Sequence, residues 1–153
     1  MKIKIIVGLF VVFLAMQAIR PAKNLSSTAP FTGKDEITVL YPPPPEVKQI
    51  LAASCYDCHS NNTHYPWYAE IQPAGWWLAS HINDGRKHLN FSEFGAYGTK
   101  RQIKKLEAMS DEVGDRGMPL TSYTLIHRDA RLTDAQITAF TRWVEAARAK
   151  LGE

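Results

Sequence analysis

Cysteine is nearly absent: the 153-residue chain has two, Cys55 and Cys58. That excludes a disulfide framework and a four-cysteine zinc site, and a disulfide across so short a loop would constrain little unfolded-state entropy. Clustered charge of one sign is missing as well. Residues 1–23 carry Lys2, Lys4, Arg20 and Lys23 and no acid, so the remainder holds 14 basic and 15 acidic side chains, net −1. No nucleic-acid partner is expected, because phosphate binding needs a concentrated basic face. No stretch alternates with a strand period and no segment repeats. Paired carboxylates, a Ser-His-Asp order and a phosphate-binding glycine loop are all lacking, so the expectation is a carrier or binding protein and not an enzyme.

Long apolar runs are limited to one, Ile5 to Ile19, preceded by Lys2 and Lys4 and followed by Arg20-Pro21 and Lys23. A charged start followed by an apolar stretch is the pattern of an export segment. Small residues suited to cleavage are poorly placed at Met16 and Ala18, so residues 1–23 read as a membrane anchor, with a cleaved signal peptide as the rival. Either places the remainder outside the cytoplasm, on the periplasmic side of a bacterial inner membrane. Residues 24–45 show no helical or strand period and end in Pro42 to Pro45, an extended stretch expected to act as a tether, although Ile37 to Tyr41 could also lie against a domain.

Residues 46–153 have a helical period throughout. Pro45 and Glu46 suit a first turn, and Val47, Leu51, Cys55 and Cys58 follow at spacings of four, four and three, which puts both sulfurs on the apolar face. Further helices are expected over about Pro73 to His88 and Thr99 to Val113, the second stopped by Gly114 and Gly117. Thr133 and Gln136 form a capping box before Ile137, Phe140, Val144, Ala147 and Leu151. The fold class expected is therefore all-α.

Cys55-Tyr56-Asp57-Cys58-His59 is C-x-x-C-H, the attachment signature of haem c. Two thiols three apart reach two vinyl groups on one porphyrin edge, and the next residue places its imidazole beneath the iron. Composition alone would produce this pattern about 4 times in 10,000, so chance does not account for it. One covalent haem would also fill the interior that four modest helices leave thin. Zinc would need two further ligands, and thiol redox chemistry a βαβ setting, and neither is present.

For the second axial position, Met118-Pro119 lies between Gly117 and Leu120, just before the last helix. A thioether on such a stiffened loop suits the iron, and Met/His ligation raises the potential as electron carriers require. His81 is the next candidate, ahead of His64, His88 and His127. Trp67, Trp76, Trp77, Tyr65, Tyr68 and Tyr123 are expected to wall the haem, Arg128 to pair with a propionate, and Asp111, Glu112 and Asp115 to form a solvated helix end.

The order of these features resembles a class I cytochrome c. More closely, residues 55 to 68 (Cys-Tyr-Asp-Cys-His-Ser-Asn-Asn-Thr-His-Tyr-Pro-Trp-Tyr), Asn90 to Phe94 and Met118 to Leu132 resemble the bacterial haem-binding-domain family of small, membrane-anchored cytochromes. The resemblance covers about residues 40 to 150. It implies a cytochrome c-like helical domain in which Cys55 and Cys58 form the thioethers, His59 is the proximal ligand and Met118 the distal one. The expected activity is one-electron transfer with an unknown redox partner. The alternatives are a haem enzyme or sensor with an open or displaceable sixth site, and a metal or thiol interaction module.

Overall fold

The structure, a computed structural model, describes residues 1–152. Its helices are α1 (Lys2–Met16), α2 (Ile37–Leu40), α3 (Pro45–Ser54), α4 (Tyr56–His59), α5 (Ala74–His88), α6 (Thr99–Gly114), α7 (Thr121–Thr124) and α8 (Asp134–Gly152). Short 3-10 turns at Trp67–Glu70, Phe91–Ala96 and Arg128–Ala130 join them. Among the described residues no strand forms beyond a single bridge between Leu25 and Asn62.

The core forms where the apolar faces of α3, α6 and α8 meet. Val47, Ile50 and Leu51 of α3, Leu106, Met109 and Val113 of α6, and Phe140, Trp143, Val144 and Ala147 of α8 are buried together with Phe91 and Phe94. Burying each such side chain contributes roughly 1.5–3 kcal/mol against the entropy of ordering the chain. A smaller cluster, Tyr68, Leu78 and Ile82, sits beneath α5. α8 starts as the capping box requires: the Thr133 amide donates to Gln136 Oε1 at 3.0 Å and the Gln136 amide to Thr133 Oγ1 at 3.3 Å.

Three features differ from the sequence reading. The first helix of the domain is not continuous into the motif: Cys55, at φ −130°, breaks it into α3 and the single turn α4. Neither glycine supplies the left-handed residue after α6; Arg116 does, at φ 59°. The stretch 24–45, expected as a tether whose part Ile37 to Tyr41 could lie against the domain, is laid on the domain from Asn24 onward. Asn24, Glu36, Ile37 and Tyr41 are buried, Asn24 Nδ2 donates to Ser60 O and Thr63 Oγ1, and Tyr56 donates to the Glu36 carboxylate.

No described helix is long and apolar enough to cross a membrane. α1 has 15 residues, and its apolar side chains from Ile3 to Leu14 are exposed.

Candidate functional site

The C-x-x-C-H motif occupies the turn between the two apolar clusters, with Cys55 against the larger and Cys58 against the smaller. In front of it opens a cavity of about 470 Å3. Cys55, Cys58, His59 and Met118 all line it, so residues 59 positions apart in sequence share one chamber. Leu89 at the end of α5, Phe91 of the 3-10 turn that follows, Met109 and Val113 of α6, Leu120 before α7 and Phe140 of α8 close it. The lining is mostly apolar with a few polar groups, the composition of a cofactor site.

The imidazole of His59 is fixed from behind. Its Nδ1 lies 3.0 Å from the carbonyl oxygen of Leu89. A carbonyl can only accept, so Nδ1 carries the proton and the lone pair is on Nε2, the tautomer a metal ligand needs. Burial holds the imidazole below its usual pKa, which keeps it neutral. The Leu89 carbonyl is itself held by its neighbour: the amide of buried Asn90 donates to Tyr97 Oη at 2.9 Å, and Asn90 Nδ2 donates to Asn61 Oδ1 at 2.8 Å. Arg86 Nη2 donates to the same Asn61 oxygen at 2.9 Å.

The motif is positioned by contacts on both sides. Gly85 of α5 lies against it so closely that a Cβ there would stand 2.6 Å from the carbonyl oxygen of Cys58. Asp57 accepts from the His64 amide at 2.9 Å and from Tyr123 Oη at 3.0 Å, which ties the motif to α7. Burial pushes the Cys55 thiol up to about 12 and the Cys58 thiol up to about 11, with a neighbouring negative charge adding to each. Reactive and metal-binding thiols need the opposite shift, so these two are poor thiol-exchange groups. Among the described residues no group of three or more His, Cys, Asp or Glu is arranged to hold a metal ion.

A family model for the haem-binding domain matches residues 11–146. The chain belongs to the haem-binding domain family. No curated protein and no solved structure matches it. Haem is the cofactor of this family, and the haem-binding domain here offers a chamber of suitable lining with a neutral imidazole in its wall.

Several residues lie elsewhere than the sequence suggested. Of the aromatic group expected to wall the cofactor, only Tyr123 lines the cavity. Trp67 is 78% exposed, Trp76 donates to the Ile19 carbonyl, Tyr65 accepts from the Asn24 amide, and Tyr68 Oη pairs with His127 Nε2 at 2.8 Å. Phe91 and Phe140 take the walling role. Lys105 lines the cavity and Arg128 does not, whereas Asp111, Glu112 and Asp115 are exposed as expected of a solvated helix end, Glu112 also reaching the cavity lining. His81 and His88 are in the lining while His64 and His127 are not. Leu89, Gly85 and Lys105 were missed because a backbone carbonyl, an absent Cβ and one lysine among many carry no local signal.

Proposed function

We propose that this haem-binding domain is a monohaem c-type cytochrome that carries single electrons on the periplasmic side of the membrane. The observation that carries the reading is the convergence of Cys55, Cys58, His59 and Met118 on one cavity. Cys55 and Cys58 would hold the haem through thioethers, with His59 Nε2 and the Met118 thioether as axial ligands. When bound, the haem supplies a one-electron iron couple, whose potential a thioether ligand raises. The chain's own residues do the rest. The Leu89 carbonyl orients His59, and Phe91, Val113 and Phe140 exclude water. The Lys105 ammonium, in the cavity lining, is placed to pair with a propionate that would otherwise be a costly charge.

In the same proposal α1 is the membrane anchor. Beyond Lys2 and Lys4 in its first turn it is apolar around its whole circumference from Ile5 to Met16, so it has no polar face with which to lie along a membrane surface, and Arg20 and Lys23 follow its other end. Its 15 residues extend about 22 Å at 1.5 Å per residue.

A second reading, a haem enzyme or sensor with a displaceable sixth ligand, draws on His81 and His88, which line the same cavity. Two measurements on the purified exported protein separate the accounts. The cytochrome reading expects haem to stay on the polypeptide through denaturing electrophoresis, and a low-spin ferric spectrum. Loss of haem on denaturation removes covalent attachment, and a high-spin ferric spectrum favours the enzyme or sensor.

A further inference from the structure

Large exposed apolar side chains beyond the first 25 residues are few, and apart from Val39 and Leu40 they gather at one corner: Trp67, Ile71, Trp77, Leu125 and Ile126. Hydrogen bonds and ion pairs assemble that corner. The Tyr68 to His127 bond brings the turn carrying Leu125 and Ile126 beside the 3-10 turn Trp67–Glu70. The stem of α1 is fastened to the same place. Gln17 and Gln72 exchange two bonds, Gln72 N to Gln17 Oε1 at 2.9 Å and Gln17 Nε2 to Gln72 O at 3.2 Å, and Trp76 Nε1 donates to Ile19 O at 2.7 Å. Arg20 and Lys23 both pair with Glu70. In a 3-10 turn residues i and i+3 eclipse, so Trp67, 78% exposed, stands on the same side of the turn as Glu70.

These contacts remove the freedom a tether would give. They fasten the chain just after α1 to the corner, so a layer that surrounds the apolar helix would reach the corner as well. The helix, at about 22 Å, is shorter than the roughly 30 Å hydrocarbon layer, and a short apolar segment draws its flanking residues into the interface. Trp is the side chain best suited to that zone.

We infer that the corner formed by Trp67, Ile71, Trp77, Leu125 and Ile126 rests on the phospholipid surface beside α1. The inference depends on the reading of α1 as a lipid-embedded anchor and adds where the domain sits. Its consequence concerns the cavity. Tyr123 stacks on His127 at 4.2 Å between ring centroids, His81 lies 4.2 Å from Trp77, and both Tyr123 and His81 line the cavity. One wall of the haem chamber is therefore held against the membrane plane, which favours exchange with a partner in the same membrane.

The test uses the full-length, haem-loaded chain in vesicles of phosphatidylethanolamine and phosphatidylglycerol doped with a phospholipid carrying a photoreactive diazirine high on its acyl chain. Adducts are mapped by peptide mass spectrometry. The expected result is lipid adducts on α1 and on the peptides containing Trp67, Trp77 and Leu125–Ile126. The double variant Trp67→Ser, Ile126→Ser changes only exposed side chains and should lose the corner adducts while keeping those on α1. Adducts on α1 alone overturn the seated corner and leave the anchor standing. Adducts on neither overturn both, and chain-to-chain cross-links at the corner in place of lipid adducts show that a second copy covers it.

Discussion

His59 donates from Nδ1 to the carbonyl of Leu89 across 3.0 Å, and this bond joins the C-x-x-C-H motif to the end of α5. Because the acceptor is backbone, what holds it in place can be altered without touching the cavity. Asn90→Ala removes the donor to Asn61, and the expected cost is about 1–3 kcal/mol because the side chain is buried. Denaturant unfolding gives the stability, and resonance Raman of the iron–imidazole stretch, read in the ferrous high-spin fraction of a Met118→Ala background with and without Asn90→Ala, should show a weakened, broadened band. A stability loss with an unchanged band would mean that the loop does not orient His59.

Gly85 is the second support. An added methyl at Gly85→Ala meets the Cys58 carbonyl at 2.6 Å, and backbone cannot step aside as a flexible side chain could. The expected destabilisation is about 1–3 kcal/mol, with a lower yield of covalently attached haem on denaturing gels. Gly114→Ala, where a Cβ would meet nothing within 4 Å, is the matching control and should load haem normally.

The sequence carried those parts of the site whose chemistry is local. C-x-x-C-H is legible because its residues are contiguous in the chain, and the start of α8 is legible because Thr133 and Gln136 satisfy one another within a turn. Cavity walls are made by contacts between distant segments, which composition does not encode. Trp67, Trp76 and Trp77 suggested a haem wall by their size. Their places are set instead by the stem of α1 and by solvent, and Phe91 and Phe140 fill the wall from other helices. In residues 24–45 the alternative in which Ile37 to Tyr41 lie against the domain is the one seen, and the contact extends to Asn24 and Glu36. Prolines predict an extended backbone, but the backbone lies on the domain because Asn24, Glu36, Ile37 and Tyr41 are buried there.

Glu36 gives a pH dependence with a definite sign. It is almost fully buried, and desolvation raises its carboxyl above the ordinary 4.5, against the smaller lowering effect of the hydrogen bond from Tyr56. A raised folded value means that Glu36's contribution to stability is complete below the unfolded value and is lost as pH rises through the folded one. Glu36→Gln keeps an acceptor for Tyr56 and removes the charge. The variant should match the wild type at about pH 4 and exceed it in denaturant stability at about pH 8, the gap opening between. A gap that closes as pH rises would show that the buried carboxylate is stabilised in its charged form.

Tyr123→Phe tests the tie between the motif and α7. It removes one of the two side-chain acceptor contacts of Asp57, the 3.0 Å bond to Oδ2, and leaves the His64 amide on Oδ1. Loss of a hydrogen bond to a carboxylate predicts about 1.5–3 kcal/mol of destabilisation by denaturant unfolding. A change under 0.5 kcal/mol, the ordinary range of surface substitutions at about ±0.5 kcal/mol, would mean that water replaces the phenol at no cost.

The central claim, an electron-carrying haem held between His59 and Met118, is tested most directly by optical spectra of the oxidised and reduced wild type beside Met118→Ala and Met118→His. The account predicts a weak far-red charge-transfer band in the oxidised wild type that both substitutions abolish. Met118→Ala should turn partly high-spin, and Met118→His should stay low-spin at a lower potential. Spectra identical in all three proteins would contradict it and pass the distal position to another residue of the cavity, His81 first.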